Sequence, residues 1–197
     1  MLNGTQKEIL KFFITHLDEP PTIRALSRQL KKPYALIHRN VQELLKQGIV
    51  EINKIPPVNL LKIKESVSKE TLVYIENLIK LDFLKSNMWV KIMLEDLLNY
   101  VDTRFFILLI FGSYAKNKQT KKSDLDLLII SPKTEYIKEL ENSMFKTYTK
   151  IKKNIVVVTA EDFKEMIKNP KEFNVGNEAG KHHVILYGVE QYYELIK

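Results

Sequence analysis

The sequence predicts an α/β chain of the α+β kind in two parts, and three observations predict it. Residues 1–66 show three helical periodicities and then two short β-prone runs. Beyond residue 100, four short β-prone runs, Phe105–Phe111, Leu125–Ile130, Ile155–Val158 and Val184–Tyr187, alternate with amphipathic helical stretches. Between the first two of these runs stands a Gly-Ser turn followed at short range by two carboxylates, Asp124 and Asp126. At 197 residues the chain has room for two small domains. We expect a domain over residues 1–66, a helical connector over 67–86 and a second domain over 87–197.

Composition narrows the classes. Hydrophobic residues make up 45% and charged residues 28%, which is ordinary for a soluble fold. There is no cysteine, so disulfide scaffolds and thiolate metal sites are excluded, and a cytoplasmic location is expected. No basic stretch followed by a long apolar core opens the sequence. The most apolar run, Phe105–Phe111, is far short of the roughly 20 residues that span a bilayer, so no membrane partner is expected. Net charge is +7, and its distribution is uneven. Residues 1–66 hold 11 Lys/Arg against 6 Asp/Glu, whereas residues 67–197 hold 20 against 18. The excess in the first third suggests a polyanion partner there.

The elements follow in order. Thr5–His16 places Ile9, Leu10, Phe13 and Ile14 on one helical face, and Asp18-Glu19-Pro20-Pro21 breaks the pattern. Thr22 caps a short second helix with Ile23, Leu26 and Leu30 inward. Lys31-Lys32-Pro33 is a turn, and Pro33 suits the first position of a third helix that runs to about Gln47 and ends at Gly48. The inward face of that helix is Ile37, Val41, Leu44 and Leu45. Its outward face is Tyr34, Ala35, His38, Arg39, Gln42 and Lys46. Ile49–Ile52 and Leu60–Ile63 read as two strands around Asn53–Pro57, with Lys54 near the tip.

Helix, short helix, tight turn, helix is helix-turn-helix order. The outward face of the third helix combines a ring, a guanidinium and an amide, the groups that read base edges. Arg24, Arg28, Lys31 and Lys32 lie where phosphates would pass. With the β-wing, residues 1–66 resemble the winged-helix DNA-binding family, which implies double-stranded DNA as partner. The expected contacts are Arg24, Arg28, Lys32, Tyr34, His38, Arg39, Gln42 and Lys54.

Thr71–Leu84 is helical and apolar on more than one face, which suits a connector packed on both domains or the seam of a homodimer. Met88–Val101 is a helix with Trp89, Ile92, Met93, Leu97 and Leu98 as its apolar stripe. Thr134–Thr149 is amphipathic through Ile137, Leu140, Met144 and Tyr148. Thr159–Lys168 is a short helix capped by Thr159 with Asp162, and Asn169-Pro170 ends it. A polar stretch leads to Val184–Tyr187, and a terminal helix carries Tyr192, Tyr193, Leu195 and Ile196. His182 and His183 are adjacent, so on a strand they face opposite ways and cannot share a metal.

In a strand, residues i and i+2 share a face, so Asp124 and Asp126 project together with Leu125 and Leu127 behind them. Two like charges side by side call for a cation. Two carboxylates beside a Gly-Ser turn suit a Mg²⁺–triphosphate complex.

Phe111-Gly112-Ser113, ten residues, then Asp124-Leu125-Asp126 resembles the signature of nucleotidyltransferases of the DNA polymerase β superfamily, in particular the minimal nucleotidyltransferases of prokaryotes. The resemblance covers roughly residues 85–197 and implies a mixed sheet. It implies that Gly112 and Ser113 hold the triphosphate of an NTP, and that Asp124 and Asp126 are catalytic and bind Mg²⁺. Lys116, Lys118, Lys121 and Lys122 either add positive charge beside the phosphates or line a solvated loop, and Lys116 is the one expected to bind nucleotide. The family commonly carries a third carboxylate on a neighbouring strand. Here Asn154, Val156 and Val158 share the corresponding face, and none is an acid. An amide oxygen can ligate a metal, but it accepts no proton at neutral pH. Two functions are therefore expected. One is transfer of a nucleoside monophosphate from an NTP to an acceptor. The alternative is a DNA-binding, antitoxin-like transcriptional regulator whose nucleotidyltransferase domain is catalytically degenerate.

Overall fold

The computed structural model describes residues 2–17 and 19–196, so Asp18 of the first helix break lies outside the described residues. The chain divides into two compact units between Ile75 and Glu76.

The first unit begins with α1 (Gly4–Thr15), α2 (Ile23–Gln29) and α3 (Tyr34–Lys46), followed by a hairpin of β1 (Val50–Ile55) and β2 (Val58–Ile63). Asn3 and Gln6 form a reciprocal cap on α1, each side chain accepting from the other's backbone N–H. The same two side chains tie α1 to α3. Asn3 Nδ2 donates to Asn40 Oδ1 at 2.8 Å, and Gln6 Nε2 donates to Glu43 Oε2 at 2.9 Å. Thr22 caps α2 by accepting from the Ala25 N–H. Pro33 sits at the N-cap of α3, one position earlier than its sequence suggests, because its ψ of 137° is extended. Ile9, Leu10, Leu26, Ile37, Val41 and Leu44 form the core, whereas Leu45 is only half-buried. The strands are longer than their β-prone residues suggested. Pairing runs from Val50↔Ile63 to Ile55↔Val58, so only Pro56-Pro57 turns the hairpin.

α4 (Lys69–Ser86) spans the division between the units. It buries Ile75, Glu76, Ile79 and Leu84 and leaves Tyr74 and Leu81 exposed.

The second unit continues with α5 (Met88–Tyr100), β3 (Ile107–Ile110), α6 (Gly112–Ala115) and β4 (Leu125–Ser131). A single 3₁₀ turn, Thr134–Tyr136, then leads into α7 (Ile137–Lys146). β5 (Lys153–Thr159), α8 (Ala160–Lys168), α9 (Val175–Lys181), β6 (Val184–Tyr187) and α10 (Val189–Ile196) complete it. The sheet order is β5-β4-β3-β6, with β4 and β5 parallel and the other pairs antiparallel. Helices beside a mixed sheet make this an α+β architecture. β3 and β4 are its centre, and apart from Asp126 their residues are buried. A strand hidden on both faces reads as a continuous apolar run rather than an alternation, as Ile107–Ile110 and Leu127–Ile130 do.

Several boundaries differ from the sequence reading. Phe105 is outside β3 and 70% exposed. α5 buries Val90, Met93, Leu94 and Leu97, and Ile92 faces solvent. The helix after β4 starts at Ile137, three residues late, and stops at Lys146. The polar stretch before β6 contains a helix, α9, that periodicity did not reveal because it is only seven residues long.

Candidate nucleotide site

Gly112 opens α6, with Phe111 between it and β3, and its backbone is constrained. Gly112 has φ +66°, a conformation that favours glycine. A Cβ at this position would stand 2.3 Å from Asp126 Oδ2 and 3.1 Å from its Cγ. The space that a side chain would need is thus taken by the Asp126 carboxylate itself. The Phe111 N–H donates to the Asp126 carbonyl at 3.1 Å, so turn and carboxylate are fastened by backbone as well as by contact. Ser113 follows, half-buried, and among the described residues its hydroxyl makes no hydrogen bond. Tyr114 is buried beneath the turn with its ring edge against Trp89, centroids 6.0 Å apart, and burial pushes its hydroxyl's pKa up.

Asp124 immediately precedes β4 and Asp126 is the strand's second residue, while Leu125 and Leu127 between and after them are fully buried. The two carboxylates meet different partners from the β5 side. Asn154 is in register with Asp126, and its Nδ2 donates to Asp126 Oδ1 at 3.1 Å. Lys152 Nζ stands 3.5 Å from Asp124 Oδ2, and the Lys152 carbonyl accepts from the Leu125 N–H at 2.8 Å. Lys153, next in the chain, fastens the start of β5. Its ammonium donates to the carbonyls of Met144 and Thr147 at 2.6 Å each, and burial lowers its pKa. These are end carbonyls of α7, which a cation satisfies well. Val156 and Val158, next along the Asn154 face, pair with Leu128 and Ile130.

The loop from Lys116 to Ser123 is bonded to itself. Asn117 takes φ +53°, the Lys118 N–H donates to the Ser113 carbonyl at 2.9 Å, and the Ser123 hydroxyl accepts from the Thr120 N–H at 2.9 Å. Lys118, Lys121 and Lys122 are exposed. Lys116 differs from them, because its Nζ lies 3.5 Å from Glu178 Oε1 on α9. Glu178 was not foreseen. The available signal was Asn174 followed by Asn177 and Glu178, a helix-start pattern, and Asn174 does cap α9.

Among the described residues no three His, Asp or Glu side chains stand close enough to share a metal. The donor set at the turn is two carboxylates and an amide. Hard oxygen donors of this number suit Mg²⁺, which commonly takes one or two protein carboxylates and completes its shell with phosphate oxygens and water.

A second polar cluster lies in the core of this unit. Glu76 and His183 are buried, with Glu76 Oε1 accepting from Tyr193 Oη at 3.0 Å and facing His183 Nε2 at 3.3 Å. His183 Nδ1 bonds the Ala179 carbonyl of α9 at 2.7 Å. Burial by itself would lower the imidazole's pKa. The hydrogen bond and charge of Glu76 and the Ala179 carbonyl outweigh it, so the pKa is raised. Tyr192 and Tyr193 are pushed up by burial and the Glu76 charge, so both stay neutral.

In the first unit, the residues singled out for a polyanion lie on α2, α3 and the hairpin. Arg24, Arg28, Tyr34, His38, Arg39 and Lys54 are exposed, and Gln42 is half-buried. The Tyr34 and His38 rings are 5.9 Å apart on adjacent turns of α3. Lys32 is engaged with Glu8 at 3.2 Å. The α2–α3 turn is pinned by Ser27, whose hydroxyl donates to the Lys32 carbonyl at 2.7 Å. Lys31 takes φ +51° there.

The mixed sheet thus carries Asp126 against Gly112 at the start of β4, with Asp124 just before the strand. The family model described as a nucleotidyltransferase domain matches residues 94–179 of this chain. That span contains Gly112, Ser113, Asp124, Asp126, Asn154 and Glu178, and it supports nucleotidyl transfer as the general function. No curated protein and no solved structure matches the chain significantly. Among the described residues no helix is long and apolar enough to cross a membrane.

Proposed function

We propose that the second unit binds an NTP with Mg²⁺ and transfers its nucleoside monophosphate to an acceptor, and that the first unit binds double-stranded DNA. The carrying observation is the close packing of Gly112 against Asp126, which supports the reading by fixing the Gly-Ser turn beside a carboxylate. Asp124 and Asp126 would hold Mg²⁺, whose charge, when bound, neutralises the phosphates and favours displacement at the α-phosphorus. The backbone around Gly112 and the uncommitted Ser113 hydroxyl bind the triphosphate, and Lys116 adds charge beside it. An acceptor oxygen forms a bond to the α-phosphorus, the bond from that phosphorus to the bridging oxygen breaks, and pyrophosphate leaves. The acceptor's proton goes to solvent or to a base on the acceptor itself, because Asn154 already donates to Asp126 and is no base at neutral pH.

This reading is tested with the full chain, α-labelled NTPs, MgCl₂ and a panel of hydroxyl and amine acceptors. Mg²⁺-dependent labelling that Asp126→Asn abolishes is expected. No labelled product together with no Mg²⁺-dependent NTP binding contradicts it.

The Asn154 bond to Asp126 favours a second reading. A missing general base costs about 10²–10⁴-fold in rate. On that reading the chain serves as a DNA-binding regulator, in the form of a homodimer on an operator, with a nucleotide-binding domain that turns over slowly or not at all. NTP binding without labelled product, together with DNA binding that responds to NTP, distinguishes this reading from the first.

A further inference from the structure

Four lysines line the loop after Gly112-Ser113, and one of them is treated differently by the fold. Lys116 follows α6 directly, with its N–H donating to the Gly112 carbonyl at 3.2 Å. Its ammonium faces Glu178, and both side chains are about one-third exposed (34% and 37%). Among the described residues Lys118, Lys121 and Lys122 have no carboxylate partner.

Glu178 is held in a frame that does not depend on Lys116. Asn174 caps α9 and donates from Nδ2 to the Met166 carbonyl of α8 at 3.0 Å. Asn177 Nδ2 donates to the carbonyls of Asn169 and Glu172 at 2.8 and 2.9 Å, closing the α8–α9 loop. At the far end of α9 the Ala179 carbonyl bonds His183, which is itself held by Glu76. A short helix fixed at both ends thus presents one carboxylate to the cation that follows the Gly112-Ser113 turn.

We infer that Glu178 sets the nucleotide affinity of this site by competing with the triphosphate for Lys116. A carboxylate and a phosphate recognise the same ammonium, so binding of a triphosphate draws Lys116 from one to the other. Glu178 does not touch the nucleotide. It acts through Lys116, and the inference rests on the nucleotide reading above.

The test is calorimetric titration of the full chain with inorganic tripolyphosphate and with each of the four ribonucleoside triphosphates in MgCl₂. Wild type, Glu178→Gln, Lys116→Ala and the double variant are compared. An exposed ion pair of this kind is weak, so Glu178→Gln is expected to bind about two- to five-fold more tightly than wild type at low salt. The gain should shrink as salt screens the pair. Glu178→Asp, which keeps the charge, should restore most of the wild-type affinity. In the Lys116→Ala background Glu178→Gln should change nothing. A gain that persists there means a diffuse charge effect and overturns the inference, as does equal or weaker binding by Glu178→Gln when wild type binds. If no variant binds any of these polyphosphates, the nucleotide reading itself falls and takes this inference with it.

Discussion

Asn154 and Asp126 face each other across the parallel strands β5 and β4, with the amide nitrogen donating to the carboxylate at 3.1 Å. The register leaves no other β5 side chain beside Asp126, because Lys153 pairs with Leu125 and Ile155 with Leu127. A carboxylate in place of this amide would stand next to that of Asp126.

Asn154→Asp is therefore expected to raise the rate of nucleotidyl transfer at least about tenfold, since a positioned base contributes roughly 10²–10⁴-fold. Without Mg²⁺ the added charge should lower the melting temperature, and Mg²⁺ should raise it more than in wild type. Initial rates and melting curves with and without Mg²⁺ check both. An unchanged rate with an unchanged Mg²⁺ response counts against a metal site at this pair.

Gly112→Ala forces an L-residue into φ +66° and puts its methyl group 2.3 Å from Asp126 Oδ2. The conformation alone costs about 1–2 kcal/mol, and the carboxylate must move as well. Denaturant unfolding should show a loss of at least that size, and Mg²⁺–NTP binding should fall at least tenfold. A variant with wild-type stability and affinity would show that neither the turn nor the carboxylate position matters.

The buried Glu76–His183 pair makes stability depend on pH. The His183 pKa is raised in the folded protein above its unfolded value of 6.5. Its contribution is thus fully present below about pH 6.5 and is lost as pH rises through the raised folded value. The groups facing it are Glu76 on α4, Tyr192 and Tyr193 on α10 and the Ala179 carbonyl on α9, and burial keeps both tyrosines neutral in that window. Melting temperatures should fall as pH rises above neutrality, and His183→Gln should flatten the profile. Glu76→Leu, which leaves His183 buried beside an apolar group, should cost about 3–5 kcal/mol.

On α3, Arg39 is exposed and Lys54 projects from the hairpin. Duplex DNA binding measured by fluorescence anisotropy should weaken steeply with salt. Lys54→Ala should weaken it about equally on all sequences. Arg39→Ala should cost about 1–3 kcal/mol on a preferred site and relax specificity. Equal binding by wild type and by either variant contradicts the assignment of this face.

Much of this architecture can be read from particular residues. The alternation Asp124-Leu125-Asp126-Leu127 suits a strand with one polar edge, and Asn154, Val156 and Val158 share a face by the same period of two, whereas the pairing of Asn154 with Asp126 comes from the register. Thr159 and Asp162 announce the start of α8, and the structure shows their reciprocal cap. Other features depend on contacts distant in sequence. Phe105 is as apolar as the strand it precedes, yet it is exposed, and no local property distinguishes it from Ile107. Lys116 and Glu178 are 62 positions apart, and α9, which brings them together, is too short to show a periodicity. The His182-His183 pair looked inert as a metal site. Its use lies in the 107-residue separation from Glu76, which no motif encodes.

The proposed Mg²⁺-dependent NTP site rests on Asp126, packed against Gly112, and on Asp124 two residues before it. Calorimetric titration of each NTP into the wild-type chain and into Asp124→Asn/Asp126→Asn, with MgCl₂ and with EDTA, tests it most directly. Saturable binding by wild type in Mg²⁺, weakened at least about tenfold by EDTA and by the double substitution, is the predicted result. Binding that neither EDTA nor the substitutions alter, or no binding of any NTP, would contradict it.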